Sequence, residues 1–258
     1  MHYLDNLRAQ GIAAFTSDRF RKDLSLPTSA ANLALWRMRR KTHIATPLAG
    51  YHVIVPPEYR SLGCLPADRF IDGLMTHLKE PYYVSLLSAA EIHGAAHQRP
   101  QVFQVMVRKK RKPIRCGAVQ IDFCVRKNVS KVPVVNHKVS TGYVRVSSPE
   151  ATAIDLIGYM QRSGGLDHVA TVLAELNESL NKDSLVKAAR LSPVAWAQRL
   201  GCLLQLLGLE GNLAGLAKYV DQQAHKVVGL SSWKSIKGAK RAQPWKVAVN
   251  ERPEPDAI

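Results

Sequence analysis

Ser29, Asn32 and Arg37 sit on one short basic stretch, TSAANLALWRMRRK, with Arg39, Arg40 and Lys41 at its end. These side chains suit hydrogen bonding to base edges and phosphates. A hydroxyl or carboxamide reaches either, so Ser29 and Asn32 are expected to bond base edges or phosphates, and the Arg37 guanidinium is expected to bond a guanine bidentately. Arg39, Arg40 and Lys41 are expected to hold phosphates, which position a protein on a duplex. Trp36 lies on the same face; it can stack beside sugar-phosphate, or pack into a neighbouring domain, the commoner fate of an indole. Thr46 follows on the next extended segment as a second hydroxyl donor. The plain alternative for the stretch is a solvated cationic helix end, favoured there by the macrodipole.

A second run, RKKRKPIR at 108–115, holds six Lys or Arg in eight positions. It reads as a turn between strands, where so many charges cannot all be paired internally. Arg108, Lys109, Lys110, Arg111, Lys112 and Arg115 are therefore expected to form a basic surface, extended by Arg126 and Lys127, for nucleic acid or an acidic partner; a solvated hairpin tip is the alternative. Lys234, Lys237, Lys240 and Arg241 mark a further basic loop.

Other chemistries lack their residues. His93 and His97 are four apart, but Gly94 falls between them and no HExxH glutamate is present, so no metal is expected. Asp122 has no companion Glu-x-Lys, and Asp155 sits in an apolar run. Ser85 and Ser88 have no glycine elbow. No phosphate-cradling glycine loop exists. No catalytic residue and no cofactor is expected.

The whole chain fits this view. Its 258 residues carry 36 Lys+Arg against 20 Asp+Glu, a net charge of +16, which favours a polyanionic partner. Hydrophobic residues make up 46%, enough for a core in one large or two ordinary domains. Cys64, Cys116, Cys124 and Cys202 form no CxxC pair, which argues against a zinc ribbon or a secreted disulfide framework. The opening MHYLDNLRAQ, with Asp5 inside it, does not read as a signal peptide, and no apolar run reaches membrane-spanning length. A cytoplasmic protein with no membrane contact is the expectation.

The elements that must position these residues are legible in the periodicity. Residues 2–10 suit a first helix ended by Gly11. Thr16 caps a second, Leu26-Pro27 makes the turn, and a third runs to about Lys41 with Ala31, Leu35 and Met38 inward. Ile44–Thr46 and Tyr51–Val55 read as a two-stranded wing stopped by Pro56-Pro57. Residues 61–67 look like a linker. Beyond it come a helix at 68–79, a strand at 82–84 and a helix at 85–93, then period-two runs from 101 to 146. Ser148-Pro149 and Ser147-x-x-Glu150 both signal the next helix start, so the cap is one of the two serines. Helices follow at 149–162, 166–177, 183–190, 193–207 and 212–224, then a loop at 229–244 and a strand at 245–249. The expected class is α+β: a winged helix-turn-helix domain over 1–60, a linker at 61–67, and a larger domain over 68–258. The larger domain combines a small mixed or antiparallel sheet with a helical half.

Four segments resemble the AbiEi antitoxins of type IV toxin–antitoxin systems: GYHVIVPPEY (Gly50–Tyr59), the run Tyr82–Val107, VRVSSPEATAIDLI (Val144–Ile157) with GGLDHV (Gly164–Val169), and WKVAVNERPEPD (Trp245–Asp256). The resemblance implies a winged-helix autorepressor that binds inverted repeats of duplex DNA in its own promoter. It also implies a C-terminal domain that counteracts a nucleotidyltransferase-like toxin without needing to touch it. Such a protein would be a monomer or weak dimer in solution and pair on DNA. The family often has a basic residue before the wing glycine; Ala49 stands there instead, which weakens the expected wing contact. Two rival readings are a nuclease targeted by the winged helix and a direct toxin binder that uses 108–115.

Overall fold

The N-terminal helices form because their apolar residues recur at helical spacing and their ends are capped. The computed structural model describes residues 2–95, 100–209, 211 and 213–254. Helix α1 (His2–Ala9) leads into β1 (Ala14–Thr16), α2 (Ser17–Asp23) and α3 (Thr28–Arg40). The Thr16 hydroxyl accepts the Arg19 amide at 3.1 Å and so caps α2. Strands β2 (Ile44–Leu48) and β3 (Tyr51–Ile54) complete a small sheet of order β1-β3-β2. Leu4, Leu7, Phe15, Phe20, Ala31, Leu35, Ile44 and Ile54 fill the space between helices and sheet. The Tyr3 ring meets Phe15 and Phe20 edge-on at 5.7 and 5.0 Å. This is a winged helix.

Two 3-10 turns (Pro57–Leu62 and Ala67–Arg69) precede α4 (Ile71–His77), β4 (Tyr82–Val84) and α5 (Leu86–Ile92). Then come β5 (Phe103–Val107), β6 (Ile114–Cys116), β7 (Val119–Val125), β8 (Val134–Val139) and β9 (Gly142–Ser147). The six strands order as β6-β7-β5-β4-β9-β8. The sheet is mixed: β5 runs parallel to β7 and β4 parallel to β9, whereas β6 is antiparallel to β7. Helices α6 (Pro149–Gly158), α7 (Gly165–Leu176), α8 (Lys182–Arg190), α9 (Val194–Leu206) and α10 (Ala214–Gln223) follow. A small sheet of β10 (Val228–Gly229), β11 (Lys240–Ala242) and β12 (Val247–Val249) ends the described chain. The architecture is α+β, as the periodicity predicts.

Three local readings change. Residues 108–115 are not all turn: Ile114 and Cys116 are buried on either side of exposed Arg115, the alternation of a strand. Lys240–Ala242 pair as β11 inside the stretch read as loop. The true cap of α6 is Ser148, whose hydroxyl accepts the Ala151 amide at 3.3 Å; Ser147 still belongs to β9.

The chain divides into two compact units. The first holds Met1–Tyr83, Gln101–Val129 and Asn136–Arg145; the second holds Val84–Pro100, Ser130–Val135 and Val146–Ile258. Within the first, Cys64 and Leu65 of the 61–67 segment are buried, at 0% and 3% exposure.

Candidate nucleic-acid interface

Helix α3 turns its two faces to different media. Ala31 and Leu35 are buried in the winged-helix core, with Ala34 and Met38 half-buried beside them. Ser29, Asn32, Leu33, Trp36, Arg37, Arg39 and Arg40 are exposed. Among the described residues, Arg37, Arg39, Arg40 and Lys41 make no ion pair with a carboxylate. Four cations thus stand at the C-terminal end of one helix, where the dipole favours them, and their charge is left for an outside anion. Trp36 is 44% exposed, so it is not sealed into a domain as indoles commonly are. The Arg40 guanidinium lies 4.9 Å from its ring centre, which braces both side chains on the open face.

The wing is short. Gly50 takes φ +77 at the β2–β3 turn, and its carbonyl accepts the Ser17 amide at 3.0 Å, tying the wing to the start of α2. Thr46 is half-buried, and its hydroxyl lies 3.0 Å from Nδ1 of His52; Ser17 Oγ lies 2.8 Å from Nε2 of the same ring. The Thr46 hydroxyl is therefore engaged inside the fold. His52 went unremarked in the sequence because its setting comes from residues 35 and 6 positions away. Burial, then the Arg39 charge, holds its pKa below the ordinary histidine value, so it is a neutral bridge between α2 and the wing.

The second basic run sorts into two kinds of cation. Arg108, Lys109, Lys110, Lys112, Arg115 and Lys127 are exposed. Arg111 instead bonds Glu80 at 2.7 Å, and Glu80 also accepts the Lys109 amide at 3.1 Å. The Glu80 side chain is only 7% exposed, so this pair is an anchor for the segment. Arg126 corrects the expected patch. It is 6% exposed, and it donates to Asn128 Oδ1 at 2.9 Å and to the Tyr83 hydroxyl at 3.4 Å. It is an internal strut and not a surface cation. The run lies in the same compact unit as α3, and β6 packs against the wing strand β2.

The second unit buries its polar groups. Ser148 Oγ donates to Glu150 at 2.8 Å, and Glu150 accepts the Asn181 amide at 2.9 Å. Ser147 and Thr152 hydroxyls lie 2.7 Å apart. His93 Nε2 meets the Ser147 carbonyl at 2.7 Å, so that nitrogen donates and is not free to ligate a metal. His97 lies outside the described residues. Among those described, no group of three potential metal ligands occurs.

Residues 83–206 match the family model of the AbiEi antitoxin C-terminal domain. The fold resembles the crystal structure of the RV2827C protein from Mycobacterium tuberculosis, with a TM-score of 0.66 and 15% identity. That likeness covers 95% of this chain and 89% of the other. No curated protein matches the sequence.

Proposed function

We propose that this chain, whose residues 83–206 match the AbiEi antitoxin C-terminal domain, is an antitoxin that also acts as a DNA-binding autorepressor of type IV. In this reading residues 1–60 are the reader, 61–67 the connection and 68–258 the antitoxin part. Two copies occupy an inverted repeat in the promoter of their own operon. Each α3 enters a major groove, with Arg37 bonding a guanine bidentately and Ser29 and Asn32 reaching neighbouring base edges or phosphates. Arg39, Arg40 and Lys41 hold phosphates, and Trp36 stacks beside the sugar-phosphate chain with Arg40 braced on it. Arg108, Lys109, Lys110, Lys112, Arg115 and Lys127 add further phosphate contacts. Repression is by occupancy, and no catalytic step or cofactor is invoked. The protein is a monomer or weak dimer in the cytoplasm and pairs on DNA; among the described residues, no helix is long and apolar enough to cross a membrane.

One observation carries this reading: the four cations at the end of α3 have no carboxylate partner among the described residues, beside an exposed Ser29, Asn32 and Trp36. Binding to a duplex that carries the promoter's inverted repeats is expected to weaken with salt, by a log–log slope of roughly −0.9 per phosphate held. The double change Arg37→Ala with Arg40→Ala is expected to weaken binding by about 100-fold or more, from roughly 1–3 kcal/mol for a bidentate pair plus one phosphate. Rescue of cells from the toxin is expected to survive that change. Salt-independent binding would overturn the reading, as would loss of both activities in a folded double variant.

The target of the antitoxin part is proposed to be a nucleotidyltransferase-like toxin encoded beside it. The exposed cations Arg108, Lys109, Lys110 and Lys112 also favour a second reading, a grip on an acidic face of that toxin. Co-purification of the pair supports the grip; rescue with no complex supports indirect action.

A further inference from the structure

Two of the four cysteines, distant in sequence, meet beside the wing. The Ala118 amide donates to the Leu62 carbonyl at 2.7 Å. A Cβ built on Gly117 would stand 2.9 Å from the Gly63 Cα, and both glycines take positive φ, +58 and +67. Residues 62 and 63 thus run against 118 and 117, and the next step of that antiparallel register sets Cys64 opposite Cys116. Opposed residues of an antiparallel pair stand roughly 4.5–5.5 Å apart at Cα, inside the span a disulfide bridges. Both residues are free, buried thiols.

The pair touches the wing. In the ladder of β2 with β3 the register shifts between Ala45 and Leu48, so Thr46 has no partner there. Strand β6, which carries Cys116, packs against β2. Cys116 is 8% exposed, on edge strand β6, whereas Cys64 is 0% exposed. A small oxidant therefore meets Cys116 first, and Cys64 waits behind it. The neighbouring Cys64 thiol favours the Cys116 thiolate, whereas the Cys116 sulfur, and after it burial, disfavours that of Cys64.

We propose that Cys64 and Cys116 are a peroxide-responsive thiol pair whose disulfide loosens the wing strand. The Cys116 thiolate attacks a peroxide oxygen; the O–O bond breaks, a sulfenic acid forms, and the leaving hydroxide takes a proton to become water. The Cys64 sulfur then attacks the sulfenic sulfur. The S–S bond forms, the S–O bond breaks, and hydroxide leaves with the Cys64 proton as a second water. Two thiols are oxidised and one hydrogen peroxide is reduced to two waters; a dithiol reductant reverses the step. Drawing the Cys116 sulfur onto Cys64 disturbs the packing of β6 against the wing strand β2.

The full-length native protein is treated with hydrogen peroxide, the remaining thiols are blocked, and the peptides are mapped. The expected product is a Cys64–Cys116 cross-linked peptide, lighter by about 2 Da and restored by dithiothreitol. Amide exchange over 44–48 is expected to run roughly tenfold faster in the oxidised form, a loosening of the wing strand equal to about one hydrogen bond. Cys116→Ser is expected to abolish both changes. Because Cys64 is buried and its serine variant could misfold, Cys64→Ala supplies the second test and should stop at the Cys116 sulfenic acid. Absence of the cross-link, or a link through Cys124 or Cys202, overturns the pair; a cross-link with unchanged exchange at 44–48 overturns its hold on the wing. Neither readout uses DNA, so failure here is distinct from failure of the repressor reading.

Discussion

The outward face of α3 and the first turns of α6 use similar polar side chains for opposite purposes. On α3, Ser29, Asn32 and Arg37 face solvent. On α6 and its cap, Ser148, Glu150, Thr152 and Asp155 are all at most 9% exposed. Ser148, Glu150 and Thr152 bond one another or nearby backbone. A polar group inside must be bonded, because desolvation costs more than one hydrogen bond returns. A polar group outside carries no such demand and is free to meet a ligand. The difference separates residues that hold the molecule together from residues that can bind.

Glu150→Ala tests the inner side and should have the largest effect. It strips acceptors from the buried Ser148 hydroxyl and the part-buried Asn181 amide and removes a buried side chain, and an orphaned buried donor costs about 1–3 kcal/mol. A loss of roughly 2–4 kcal/mol in urea unfolding is expected, with DNA affinity per folded molecule unchanged. A loss below about 1 kcal/mol would erase the contrast between the two helices.

The same contrast recurs within the second basic run. Arg111→Ala leaves Glu80 without its cation, and a destabilisation of about 1–3 kcal/mol is expected. Arg108→Ala removes an exposed cation and should leave the melting temperature alone. Its expected effect is a salt slope shallower by roughly 0.9. Equal effects of the two changes on stability would show that position in the fold does not sort these charges.

The smallest effect concerns pH. His52 has a folded pKa below the ordinary value of 6.5, so the unfolded chain binds its proton more readily. Stability is therefore full above pH 6.5 and falls as pH drops from there towards the folded pKa. His43 shifts the same way, through burial and then the Arg60 charge. His52→Gln is expected to flatten part of this slope in thermal melts between pH 5 and pH 7, a range set by the histidine reference value of about 6.5. An unchanged slope would remove His52 from the account.

Much of the winged helix was legible because its signals are local. The 3.6-residue stripe of Ala31, Leu35 and Met38, the Thr16 cap and the prolines after the wing each act within a turn or two of themselves. The exposed row on α3 follows directly as the opposite side of that stripe. Two serines satisfy the local cap pattern of α6; only the continuation of β9 through Ser147 selects Ser148. Strand β6 was hidden because its short alternation of Ile114 and Cys116 sits inside a cationic run.

Local sequence pattern alone fixes where the helices, caps and turns of the winged helix fall, how much positive charge the chain carries, and which side of α3 is apolar. Which cations are surface and which are struts depends on contacts made in the folded chain. Arg126 is buried by Tyr83, 43 positions away, and Arg111 is held by Glu80, 31 positions away. The tertiary fold alone brings Cys64 to Cys116. The physical reason is one of range: propensity and periodicity act over a few residues, whereas burial and partnership depend on segments that meet only after the chain has folded.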